Sequence, residues 1–74
     1  MNYGEMTNKI RDDEAFALRA PMEVLRLSDD TGWTIAHIAT FHHEAFALRA
    51  PTEVLKLTDG NGITVAQIVA QCHK

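Results

Sequence analysis

EAFALRAPMEVLRLSDD begins at Glu14, and EAFALRAPTEVLKLTDG begins at Glu44. Aligning residues 14–43 with 44–73 gives 18 identities in 30 positions without a gap. Several of the differences are conservative: Arg26 against Lys56, Ser28 against Thr58, Ile35 against Val65. A fixed period of this length marks stacked units of supersecondary structure, each too small to bury its own apolar side. A chain of 74 residues holds one small domain at most. Such a domain buries only about 60% of its unfolded surface, so its stability margin is thin.

Proline and glycine punctuate the unit. Pro21 and Pro51 end the preceding helix, because the residue before proline is pushed out of the helical region, and each can open the next helix. MEVLRL and TEVLKL follow as short helices, with Glu23 and Glu53 near the positive end and Arg26 and Lys56 near the negative end. SDDTG and TDGNG are turn sequences. Thr64 with Gln67 makes a capping box that starts a helix, and Thr34 with His37 does the same with a less usual partner. From Thr34 the apolar positions Ile35, Ile38, Ala39, Phe41, Ala45, Phe46 and Leu48 keep helical spacing as far as Arg49. This predicts one helix of about four turns, bent at His42-His43.

The fold expected is all-α: stacked helix-pair repeats of 30 residues, an abbreviated α-solenoid in a single domain. Its units fall at about 7–28 and 34–58, with a truncated third at 64–74. Repeat arrays ordinarily need three or more units and capped ends. A truncated unit leaves an apolar face near Val65, Ile68 and Val69, so a homo-oligomer is expected to cover it. The alternative is a natural miniature, or a fragment of a longer array, that covers itself by packing the N-terminal helix differently.

Asp29, Gly32, Thr34, His37 and Ala39 form D-x-x-G-x-T-x-x-H-x-A, which resembles the turn and first-helix opening of an ankyrin repeat. The second copy keeps Asp59, Gly62 and Thr64 but carries Gln67 and Val69. A-P-T-E-V-L-K-L-T-D, with Val65 and Ala66 after it, is similar to the leucine-rich-repeat variant, a helical solenoid. Each likeness covers about half a unit. Both resemblances imply stacked helix pairs that bind other proteins, with no catalytic residues to carry over.

One column of the repeat carries ligand chemistry: Asp12-Asp13, His42-His43 and Cys72-His73. Imidazole, thiolate and carboxylate are ligand types that zinc accepts, so His42, His43, Cys72 and His73 form a candidate metal site if the units stack in register. Against it, adjacent helical residues point about 100° apart, and no C-x-x-C or H-x-x-x-H spacing is present. Solvated mid-helix positions explain the column more simply. His37, three residues after a capping Thr, reads as a group that ties down its turn. Trp33, aligned with Ile63, reads either as an interface anchor or as a stacking residue between units. Arg19 and Arg49 suit helix C-termini. No Ser-His-Asp grouping or phosphate-cradling loop appears, which argues against an enzyme, and no cofactor is implied.

Seven basic residues against ten acidic give a net charge of −3, which argues against nucleic acid as a partner. The lone Cys72 fits a reducing compartment. No apolar run approaches the ~20 residues that span a bilayer, so the expectation is a cytoplasmic protein without a membrane partner. The function expected is a non-catalytic protein-interaction or self-assembly module. Its expected partner-binding residues are Asp29, Thr31 and Trp33 in one turn and Asp59, Asn61 and Ile63 in the other. Alternatives are a metal-binding protein using the histidine–cysteine column, or a small acidic inhibitor that covers a basic surface.

Overall fold

The structure, a computed structural model, describes residues 2–72. Seven helices follow in order: α1 (Tyr3–Asp12), α2 (Glu14–Arg19), α3 (Met22–Leu25), α4 (Ile35–His42), α5 (Glu44–Arg49), α6 (Thr52–Leu55) and α7 (Val65–Cys72). Helices α2, α3 and α4 match α5, α6 and α7 in length, so the two copies fold alike. The described residues contain no strand beyond two isolated bridges, Ser28 with Thr34 and Thr58 with Thr64.

Helix α4 packs between α1 and α7, and α2 lies beside α5. That placement explains why the three longer helices differ in composition. A helix covered on both sides must be apolar all round, whereas an end helix needs only one stripe. In α4 the six residues Ile35 to Thr40 are all buried. In α1 only Met6 and Ile10 are buried, and Glu5, Asn8, Lys9 and Arg11 face solvent. In α7 the buried residues are Val65 and Ile68. Ile10, Ile35 and Val65 are fully enclosed, each contributing about 1.5–3 kcal/mol by burial.

The expected four-turn helix over residues 34–49 is two helices. His43 is extended (φ −130°, ψ 105°) between α4 and α5, as Asp13 is (φ −133°, ψ 98°) between α1 and α2. Asp13 breaks the chain locally, because its carboxylate accepts the Phe16 N–H at 3.0 Å and caps α2. His43 makes no such cap. Its Nε2 instead donates to the Ile10 carbonyl at the end of α1, and its Nδ1 lies 3.8 Å from a Glu14 carboxylate oxygen. The second break is therefore held by the end of α1 and the start of α2. Helical periodicity misses it because Ile35, Ile38 and Ala39 of α4 and Phe46 of α5 share one core, although Phe41 and Leu48 of the same expected stripe are left exposed.

The expected open face at Val65, Ile68 and Val69 is also corrected. Val65 is 0% and Ile68 6% exposed, and Val69 packs partly against the core. They face back toward α4, and what α7 leaves to solvent is Ala66, Gln67, Ala70, Gln71 and Cys72. Helices α3 and α6 start after Pro21 and Pro51, which sit one position before the first helical residue. Their missing N–H groups cost nothing there.

Candidate functional site

The segment from Leu27 to Ile35 is a small antiparallel loop. The Ile35 N–H donates to the Leu27 carbonyl at 2.8 Å, and the Asp29 N–H to the Trp33 carbonyl at 3.2 Å. The second copy repeats both bonds, Val65 to Leu57 and Asp59 to Ile63, each at 3.0 Å. In each loop one aspartate organises the tip. Asp29 Oδ1 accepts the N–H groups of Thr31 and Trp33 and the Thr31 hydroxyl, at 2.9, 3.1 and 2.6 Å. Asp59 Oδ1 accepts the N–H groups of Asn61 and Ile63 at 2.8 and 2.9 Å. Gly32 and Gly62 close the loops at φ +85° and +84°, a region that favours glycine.

The loops join along one edge. Gly60 N–H donates to the Thr31 carbonyl at 2.8 Å, and His37 Nε2 donates to the Ile63 carbonyl at 2.9 Å. His37 is 0% exposed. Its Nδ1 lies 2.6 Å from the Thr34 hydroxyl, completing the capping box of α4, and its ring sits 4.7 Å from that of Trp33. One side chain thus caps a helix, holds its own loop and grips the next copy's loop. This gives the junction a reason for where the copies differ. A Cβ on Gly60 would lie 2.2 Å from the Thr31 carbonyl oxygen, so the second copy cannot carry the aspartate found at position 30. Gln67 makes the corresponding cap, accepting the Thr64 N–H at 2.7 Å.

The predicted partner-binding residues lie together at this edge, with their polar groups largely engaged inside the loops. Trp33 and Ile63 are half-buried, while Thr31 and Asn61 are exposed at the tips. The Thr31 hydroxyl bond holds the Asp29 carboxyl below the ordinary 3.8; slight desolvation opposes it, and the N–H groups of Thr31 and Trp33 lower it further. A carboxyl lowered in the folded state stabilises the fold above its unfolded pKa, and this contribution is lost as pH falls through the folded value. Thermal melting should therefore weaken more steeply below about pH 4 in the native chain than in Asp29→Asn. Identical pH slopes for the two proteins would contradict this assignment. Burial, and secondarily the Asp29 charge, push the Tyr3 phenol up.

The histidine–cysteine column is dispersed. His42 is exposed, its ring edge-on to Phe41 at 5.3 Å. His43 gives Nε2 to the Ile10 carbonyl. Cys72 is exposed at the end of α7, and His73 lies outside the described residues. Among the described residues no three His, Cys, Asp or Glu side chains gather where a metal ion could be held. Arg19 Nε donates to the Ala15 carbonyl at 3.3 Å, which uses it within its own helix. None of the helices over the described residues is long and apolar enough to cross a membrane.

A second surface was not singled out by sequence reasoning. Between α2, α3, α5 and α6 runs a groove of about 270 Å³, with Leu18, Met22, Leu25, Phe46 and Val54 in its walls and Arg49 and Glu53 among its lining. Pockets for cofactors or drug-sized ligands run to about 300–1,000 Å³, so this one suits one or two apolar side chains. Leu18 is 39%, Phe41 55% and Leu48 68% exposed. The signal was present in EAFALR, whose six residues hold four apolar or small positions in too short a helix to bury all of them. Comparison with models of known protein families, with curated proteins and with solved structures gives no match.

Proposed function

We propose that the chain is a non-catalytic protein-interaction module of the cytoplasm, an abbreviated α-solenoid of 30-residue helix pairs. The observation that carries this reading is the groove between the two EAFALR helices, apolar inside and bordered by Arg49 and Glu53. Large aliphatic and aromatic side chains cost free energy when left in water, and a pocket for one or two such groups is how an interface seats its anchors. The buried polar groups support a structural role: His37 is committed to the loop junction and His43 to the end of α1. Arg49 and Glu53 would supply the polar rim of this contact.

A random-peptide display selection against the immobilised protein tests this. The expected products are peptides with an apolar anchor whose affinity falls at least tenfold on Leu18→Glu, a change of about 1.4 kcal/mol. Leu18 is partly exposed, so the variant should keep its circular dichroism spectrum and melting temperature. Selected peptides that bind the variant and the native protein equally would overturn the reading.

A further inference from the structure

We infer that the groove between α2, α3, α5 and α6 takes an amphipathic helix of a partner protein. That helix carries two apolar anchors one turn apart, an acidic side chain for Arg49 and a basic one for Glu53. The inference rests on the interaction reading and names the kind of partner that the same groove fits. The two walls of the groove differ. The first copy contributes Ala17, Leu18, Ala20, Met22 and Leu25, none of them charged. The second copy contributes Arg49 and Glu53 beside Phe46 and Val54. The equivalent Arg19 and Glu23 lie outside the lining, so charge borders the groove on one side alone.

Both charged groups are available to a partner. Arg49 and Glu53 are exposed, and among the described residues neither forms an ion pair or a side-chain hydrogen bond. Arg19, by contrast, is held by the Ala15 carbonyl at 3.3 Å. Covering a charge without pairing it is costly, so an occupant that fills the groove must bring opposite charge to both residues. Arg49 ends α5 and Glu53 lies in α6, beyond Pro51. Two charges of opposite sign along one wall fix the direction in which the occupant lies.

The occupant's backbone follows from what lines the groove. Strand addition requires an open strand edge, and the lining residues belong to helices and their connections. Polyproline segments dock on aromatic surfaces, and Phe46 is the single ring in the lining. A chain that meets no ladder must satisfy its own N–H and C=O groups, as a helix does. Helical side chains three or four positions apart stand about 5–6 Å from each other, which suits two anchors in a groove of about 270 Å³. Leu25, Phe46 and Val54 are buried already, and Leu18, 39% exposed, gains cover from the anchors.

Peptides from the display selection supply the probe. They should carry apolar pairs at three- or four-residue spacing; pairs at alternate positions, the spacing of a strand, overturn the proposal. Each peptide is then compared by fluorescence anisotropy with a copy whose acidic and basic residues are exchanged. The native chain should bind the exchanged copy about tenfold more weakly. Arg49→Glu with Glu53→Arg, which keeps the net charge of −3, should reverse that preference, and Arg49→Gln with Glu53→Gln should abolish it. At about 1 M salt the native preference should fade while the dependence on Leu18 persists. Equal binding of both copies by the native chain, or a preference that survives in the glutamine variant, overturns the proposal. Peptides that need Leu18 but show no charge order would end this inference and leave the interaction reading standing. A selection without Leu18-dependent peptides would end both.

Discussion

Replacing His37 with alanine is expected to cost about 3–4 kcal/mol, the sum of a buried-ring cavity and broken hydrogen bonds. The side chain is fully enclosed between the two loops. Its removal leaves a void beside Trp33, takes away the Thr34 partner in the capping box and orphans the Ile63 carbonyl. A domain of this length has a total stability of roughly 4–11 kcal/mol, so the loss is a large share of it. The melting temperature should fall by about 15–25 °C. Glutamine at the same position should recover part of the loss, because Gln67 shows that an amide completes this box. A loss below about 1 kcal/mol for His37→Ala would mean that the ring contributes little to joining the copies.

The second large effect is expected at Gly32, where alanine should cost about 3 kcal/mol. Two terms combine. A Cβ at φ +85° is strained wherever it occurs, by about 1–2 kcal/mol. Here the Cβ would also lie 2.3 Å from Gly60 N and 3.0 Å from the Asp59 carbonyl carbon, both backbone atoms without a rotamer to yield. Relief requires the loops to separate, which breaks the Gly60 to Thr31 hydrogen bond. Urea unfolding followed by Trp33 fluorescence measures the change, and the slope of the transition reports whether cooperativity survives.

The sequence made the all-α class legible because it repeats: helix starts at Thr34 and Thr64 and breaks before Pro21 and Pro51 each appear twice. Local chemistry sets those features, so a local reading finds them. The assignment of His37 to its turn was legible for the same reason, since Thr and a side chain three residues on form a capping box within one helical turn. Its second bond, to Ile63 26 residues away, was not. Nor was the break at His43, whose stabilising partners Ile10 and Glu14 lie far back in the chain, in α1 and α2.

The face of α7 was misjudged for a related reason. A helical stripe identifies Val65, Ile68 and Val69 as apolar, and says nothing about whether the neighbour that covers them comes before or after. Here it comes before: α4 covers Val65 and Ile68. The differences between copies hold this missing information. Aspartate at position 30 against glycine at 60, and histidine at 37 against glutamine at 67, mark which side of each loop has a neighbour. The groove beside Leu18 was hidden because apolar residues in short helices read as core until packing shows which remain uncovered.

The central claim is that the two copies are joined through direct contact of their loops. Gly32 and Gly62 are a matched pair for it: equivalent positions, φ of +85° and +84°, one against a neighbouring backbone and the other facing open space. Conformational strain is common to both, so the difference between Gly32→Ala and Gly62→Ala isolates the contact. The account predicts a loss at Gly32 about 2 kcal/mol larger than at Gly62 in urea unfolding. Equal losses at the two glycines would contradict it.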